Sequence, residues 1–123
     1  MASLHNDVFD NGLSTIDDNC ETLYICNADP GLTWANIASY GLGSKSTPAI
    51  AAPSDRAGGG REVVVAAITD GTITGTDTAT HYALTDDSET KILASGALGT
   101  PQSVTSGNQF TLTEFAIGIP DPA

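Results

Sequence analysis

The chain has 123 residues, enough for one domain with a modest core. Acidic residues outnumber basic ones 15 to 4, for a formal net charge of −11. The four cations, Lys45, Arg56, Arg61 and Lys91, are scattered, so neither nucleic acid nor an anionic membrane surface is an expected partner.

No run of about 18 apolar residues is present, so no membrane-spanning helix is expected. The start, Met1 to Asp7, lacks a basic segment followed by an apolar one, and no signal peptide is expected.

In chain order, residues 4–18 read as a helix. Phe9, Leu13 and Ile16 follow i, i+4, i+7, with Leu4 and Val8 on a neighbouring row and Ser3 as the cap. Gly12 weakens that helix by about 1 kcal/mol. Its thin apolar stripe can dock on its own domain or on a neighbouring copy. Leu4, Val8, Phe9, Leu13 and Ile16 are therefore the candidate intersubunit contacts. The expected organisation is an N-terminal helix or arm over 1–20 and a single β domain over 21–123.

Glu21 to Asn27 reads as a strand that holds Cys20 and Cys26 apart. Six extended residues span about 20 Å, whereas a disulfide needs Cα atoms within about 7 Å, so two reduced thiols are expected. A bridge to another subunit is the alternative. Asp29-Pro30-Gly31 is a turn. Trp34, Ile37 and Tyr40 allow one short helical turn. They form a satellite core or, in a second reading, a glycan-stacking platform of Trp34 and Tyr40.

Gly41 to Ser46 reads as a loop, and Ala49 to Ala52 as an edge strand between Pro48 and Pro53. Gly58-Gly59-Gly60 lacks the lysine of a phosphate loop and precedes a strand, so a surface loop is expected. Val63 to Ile68 is continuously apolar, which predicts a central strand covered on both faces. Asp70-Gly71 marks a turn before a threonine-rich strand.

Thr80 to Leu84 and Lys91 to Leu98 form a predicted hairpin around the polar loop 85–90. The carboxylates Asp70, Asp77, Asp86, Asp87 and Glu89 lack the residue order of a calcium loop and read as solvated. Ser106-Gly107-Asn108 turns into a last strand. Within it, Phe110 and Leu112 have one parity and Phe115, Ile117 and Ile119 the other, so a bulge or bend is required near Thr113-Glu114. Pro120 and Pro122 stop the pattern.

The tally predicts an all-β fold: a β-sandwich or open barrel of about seven short antiparallel strands behind an N-terminal helix. His5 and His81 are the only histidines, and no serine-hydrolase or zinc-protease motif occurs. No catalytic residue, metal or cofactor is expected.

Three segments, Thr80-His81-Tyr82-Ala83-Leu84, Leu93-Ala94-Ser95-Gly96-Ala97-Leu98 and Val104 to Leu112, resemble a β-module of tailed-bacteriophage virion proteins. Asp10-Asn11-Gly12-Leu13, Leu23-Tyr24-Ile25-Cys26 and Tyr40-Gly41-Leu42-Gly43 are similar to small structural proteins of such phages. The resemblance implies a multi-copy virion component without catalytic residues. The expected role is a capsid decoration, or cement, protein on the outer capsid surface. Its expected partners are the major capsid protein and copies of itself as a homo-oligomer on the particle. The alternative is a head- or tail-fibre module for receptors or glycans.

Overall fold

The computed structural model describes residues 3–4, 12–57 and 60–119. Val8 and Phe9, Gly58 and Gly59, and the stops Pro120 and Pro122 lie outside the described residues. In order the elements are β1 (Ser3–Leu4), α1 (Ser14–Asn19), β2 (Thr22–Cys26), α2 (Ala35–Tyr40), β3 (Gly41–Ser46), β4 (Ser54–Asp55), β5 (Arg61–Val65), β6 (Ile68–Ile73), β7 (Asp77–Asp86), β8 (Lys91–Val104), β9 (Gln109–Leu112) and β10 (Phe115–Ile119). Strands hold 55% of the described residues, so the chain is all-β as its periodicity predicts.

Six strands in the order β8-β7-β2-β3-β6-β9 form one antiparallel sheet that curls into a half-barrel. The short β1 adds outside β8, pairing Ser3 with Ser95 and Leu4 with Ala94. A second sheet, β10-β5-β4, packs against the first through a shared core. Val63, Val65 and Ile117 of the small sheet join Leu23, Ile25, Tyr82, Leu84 and Leu93 of the large one there.

The parity change in the last strand has a topological cause. Phe110 and Leu112 point inward from β9 in the large sheet, and Ile117 does so from β10 in the small one. The unpaired residues Thr113 and Glu114 carry the chain between sheets, so the required bend is a change of sheet.

The β7–β8 hairpin is longer than its apolar cores suggest. Thr85 and Asp86 lie in β7 and are buried, so the predicted six-residue loop contracts to a short 3-10 turn over Asp87–Glu89. Two irregularities shape the hairpin. Leu93 is an extra residue between the pairs Leu84↔Ala94 and Thr85↔Ile92, which lets Ile92, Leu93 and Ala94 all be buried. Further on, Thr80 alone faces Leu98 to Pro101, so β8 bows away from β7 there.

Four expectations are corrected. The helix does not run over 4–18: Leu4 is in β1, and Gly12 at φ +70° interrupts any helix before Ser14. A left-handed residue cannot continue a right-handed helix. The predicted glycine-rich loop is the strand β3, because Gly43 lets two backbones meet: a Cβ there would lie 2.2 Å from Thr72 O. Asp70-Gly71 is no turn but the middle of β6, where Gly71 lies against the ring of Phe110, 2.1 Å from a notional Cβ. Finally, the apolar run 63–68 is split. β5 ends at Val65, with Val64 only half-buried, and Ile68 opens β6 in the other sheet.

These contacts set a graded test. Gly43→Ala meets backbone that cannot rotate away and is expected to lose more than the 1–3 kcal/mol typical of an overpacked core, about 3 kcal/mol or greater. Gly71→Ala must push the Phe110 ring aside and is expected to cost about 1–3 kcal/mol. Gly99→Ala, with nothing within 4 Å of the added carbon, is the neutral control. Urea denaturation of the three variants measures the order, and equal losses at positions 43 and 99 would refute this packing.

Candidate functional site

An open sheet has two edges, here β8 and β9, and the curl brings them toward each other. They do not pair. The gap is bridged by one hydrogen bond in which Gln102 Nε2 of β8 donates to Thr111 O of β9 at 2.8 Å. Beside this bridge lies a cleft of about 360 Å³. One wall is the bowed segment of β8, Ala97 to Thr100 with Gln102. Opposite are Thr111, Leu112 and Thr113, and β10 contributes Phe115 and Ala116.

Tyr82 of β7 completes the lining and stacks on Phe115 with centroids 4.6 Å apart at 45°. Tyr82 is largely buried, and loss of solvent raises its phenol pKa above the ordinary value. Gly96 leaves room for that phenol: a Cβ there would lie 3.0 Å from its Oη. The remaining polar groups of the lining are hydroxyls and one amide, and it carries no charged side chain. The cleft can therefore hold a ligand by apolar contact and neutral hydrogen bonds.

The predicted contact residues fall elsewhere. Leu13 and Ile16 are brought together at α1, but they are 5% and 0% exposed and belong to the domain's own core. They have no surface left for a neighbouring subunit, which corrects the assignment for these two residues; Val8 and Phe9 lie outside the described residues. Burying Ile16 alone is worth about 1.5–3 kcal/mol to the domain. Leu4 is placed on the outer edge of β8 by its backbone. Trp34 caps α2 and Tyr40 ends it, both half-buried. Six helical positions put them about 120° apart around the axis, so they do not form one flat platform. Sequence reasoning missed the cleft because its walls come from four strands, β7 to β10, whose juxtaposition depends on how the two sheets pack. The parity break at Thr113-Glu114 was the one local sign of it.

The carboxylates at the other end of the hairpin are structural. Asp87 accepts from Thr22 Oγ1 at 2.5 Å and Thr85 Oγ1 at 2.6 Å, tying β2 to β7. Asp86 accepts from Ser88 Oγ at 2.8 Å and from the Glu89 amide at 3.4 Å. Glu21 accepts from the Ser88 amide at 2.9 Å. Burial alone would raise the Asp86 pKa. Hydrogen bonds donated by Ser88 and the Glu89 amide, its interaction with the Glu21 carboxyl and the charge of Lys91 outweigh it and hold the group below its usual value. Among the described residues no three His, Cys, Asp or Glu side chains are placed to hold a metal ion. No described helix is long and apolar enough to cross a membrane.

Cys20 and Cys26 are both free; Cys20 caps the C-terminal end of α1 and Cys26 is the last residue of β2. Burial pushes each thiol up to about 12. No family model, curated protein or solved structure matches this chain.

Two outcomes follow from these groups. A carboxylate whose folded-state pKa is lowered contributes stability above its unfolded value of about 3.9, and loses it as pH falls through the folded value. Asp86→Asn is therefore expected to lower Tm at pH 7 and to flatten the fall of Tm below about pH 4. Parallel Tm–pH curves for the two proteins would exclude this role. For the thiols, the thiolate is the reactive form and is scarce at neutral pH. Ellman's reagent should react slowly with the native chain and rapidly in denaturant, with Cys26 the slower of the two. A reducible ladder on non-reducing electrophoresis would contradict the placement of Cys26 in the core.

Proposed function

We propose that the chain is a non-enzymatic structural protein of a tailed-phage particle, most specifically a decoration (cement) protein bound to the outer capsid surface. Its partners in this reading are the major capsid protein and further copies of itself. The observation that carries the reading is the way β1 joins the domain. Two residues of the N-terminal segment add as a strand to the outer edge of β8. Strand addition works through backbone hydrogen bonds, so the short Ala94–Ser95 stretch that β1 covers can equally take the corresponding strand of a neighbouring copy or of capsid protein.

Charge and chemistry lend further support. The net charge of −11 disfavours nucleic acid and keeps unbound copies apart. Lys45 and Arg61 are engaged with Asp70 and Asp55, at 3.0 and 2.7 Å. In the cleft the Tyr82 phenol is the one titratable group of the lining, which suits holding better than proton transfer. The resemblance of the strand segments to phage virion modules points the same way.

Quantitative mass spectrometry of purified particles tests the proposal. The chain is expected in proportion to the major capsid protein, and particles lacking it should release their genome at lower temperature. Stoichiometry matching a single vertex or the tail, or absence from particles, would overturn it. Replacing Leu4 by Pro removes a backbone donor from β1 and should lower occupancy without lowering the Tm of the isolated domain by more than about 1 kcal/mol equivalent.

A further inference from the structure

We infer that the cleft at the open seam of the half-barrel is a binding site for an uncharged saccharide. Three alternatives fit the walls less well. An added peptide strand would need a regular edge with donors in register. Here β8 bows out between Ala97 and Gln102, and Pro101 supplies no N–H, so the edge is protected against strand addition. An anionic ligand would find no cation in the lining, on a protein of net charge −11. A wholly apolar ligand would strand the hydroxyls of Thr100, Thr111 and Thr113 against it.

A neutral sugar uses every component. The Tyr82–Phe115 pair offers an apolar wall for the C–H face of a ring. The threonine hydroxyls each donate and accept. Gln102 is held in place by its bond to Thr111 O, which leaves the second N–H and Oε1 of its amide for a ligand. A volume of about 360 Å³ is at the small end of ligand sites and suits a mono- or disaccharide. This site does not involve Trp34 and Tyr40, which stand on α2.

The test is a titration of the isolated full-length chain, independent of any capsid. Amide ¹H–¹⁵N spectra are recorded with maltose, lactose and cellobiose in turn, and with N-acetylneuraminic acid as the anionic comparison. At least one neutral disaccharide is expected to give saturable shifts confined to residues 97–102 and 111–116, and the acidic sugar none. Gly99 lines the cleft with nothing within 4 Å of an added Cβ, so Gly99→Phe adds a bulky ring at its wall with no clash at the Cβ. This variant should weaken binding at least about tenfold while the rest of the spectrum is kept. The double variant Thr100→Val, Thr113→Val, at exposed positions, gives the same reading if Gly99→Phe does not fold. The inference is overturned if all three neutral sugars are silent, if their shifts fall around Trp34, if the acidic sugar binds more tightly, or if the folded variants bind unchanged.

Discussion

A curled sheet that stops short of closing must cover its inner apolar face and dispose of two edges, and both demands shape this molecule. The first is met by folding a second sheet out of the same chain. Val63, Val65 and Ile117 enter the core from that sheet, and Phe115 reaches Tyr82 at the rim. Without them the inner face of the half-barrel would lie open to water, at roughly 25 cal/mol for each Å² of apolar surface. The second demand is met in part by β1 on the outer side of β8, and in part by the bow and the proline that make the rest of that edge a poor template. The edges of the sheet are thus the part of the fold most constrained by its failure to close.

The two ends of the β7–β8 hairpin do different work. At the turn, carboxylates and hydroxyls are locked together, with Asp87 joining Thr22 of β2 to Thr85 of β7. At the far end the strands separate, and the neutral lining of the cleft takes the space. The acidic side chains of the hairpin are gathered at its turn, and the lining of the cleft carries no charged side chain.

Period-two alternation revealed the hairpin strands, and the parity break at Thr113-Glu114 marked the change of sheet, because both depend only on neighbours along the chain. What stayed hidden depends on neighbours in space. Gly43 and Gly71 look like punctuation, but they are glycines because Thr72 O and the Phe110 ring occupy the space of a side chain. Thr85 looks like loop and is buried strand because Thr22, 63 residues away, pairs with it and accepts its hydroxyl. The i, i+4, i+7 spacing of Phe9, Leu13 and Ile16 suggested one long helix. Among the described residues it is helical only over Ser14–Asn19, and the left-handed φ of Gly12 breaks the long run the spacing predicts. The cleft, lined by four strands from both sheets, left almost no local trace.

The position of β2 has a consequence for how the chain reaches this state. It lies between β3 and β7, and its bond from Thr85 Oγ1 to Thr22 O closes a separation of 63 residues. The β7–β8 hairpin, by contrast, joins adjacent strands through a short turn. Local pairings form early, while a long-range insertion must wait until its entropic cost can be repaid by contacts on both sides at once. Until β2 arrives, the inner edge of β7 is bare, and an unpaired strand edge is a template for pairing with another chain. The carboxylates of the turn at the end of that edge place like charges where two such edges would meet, which disfavours that pairing.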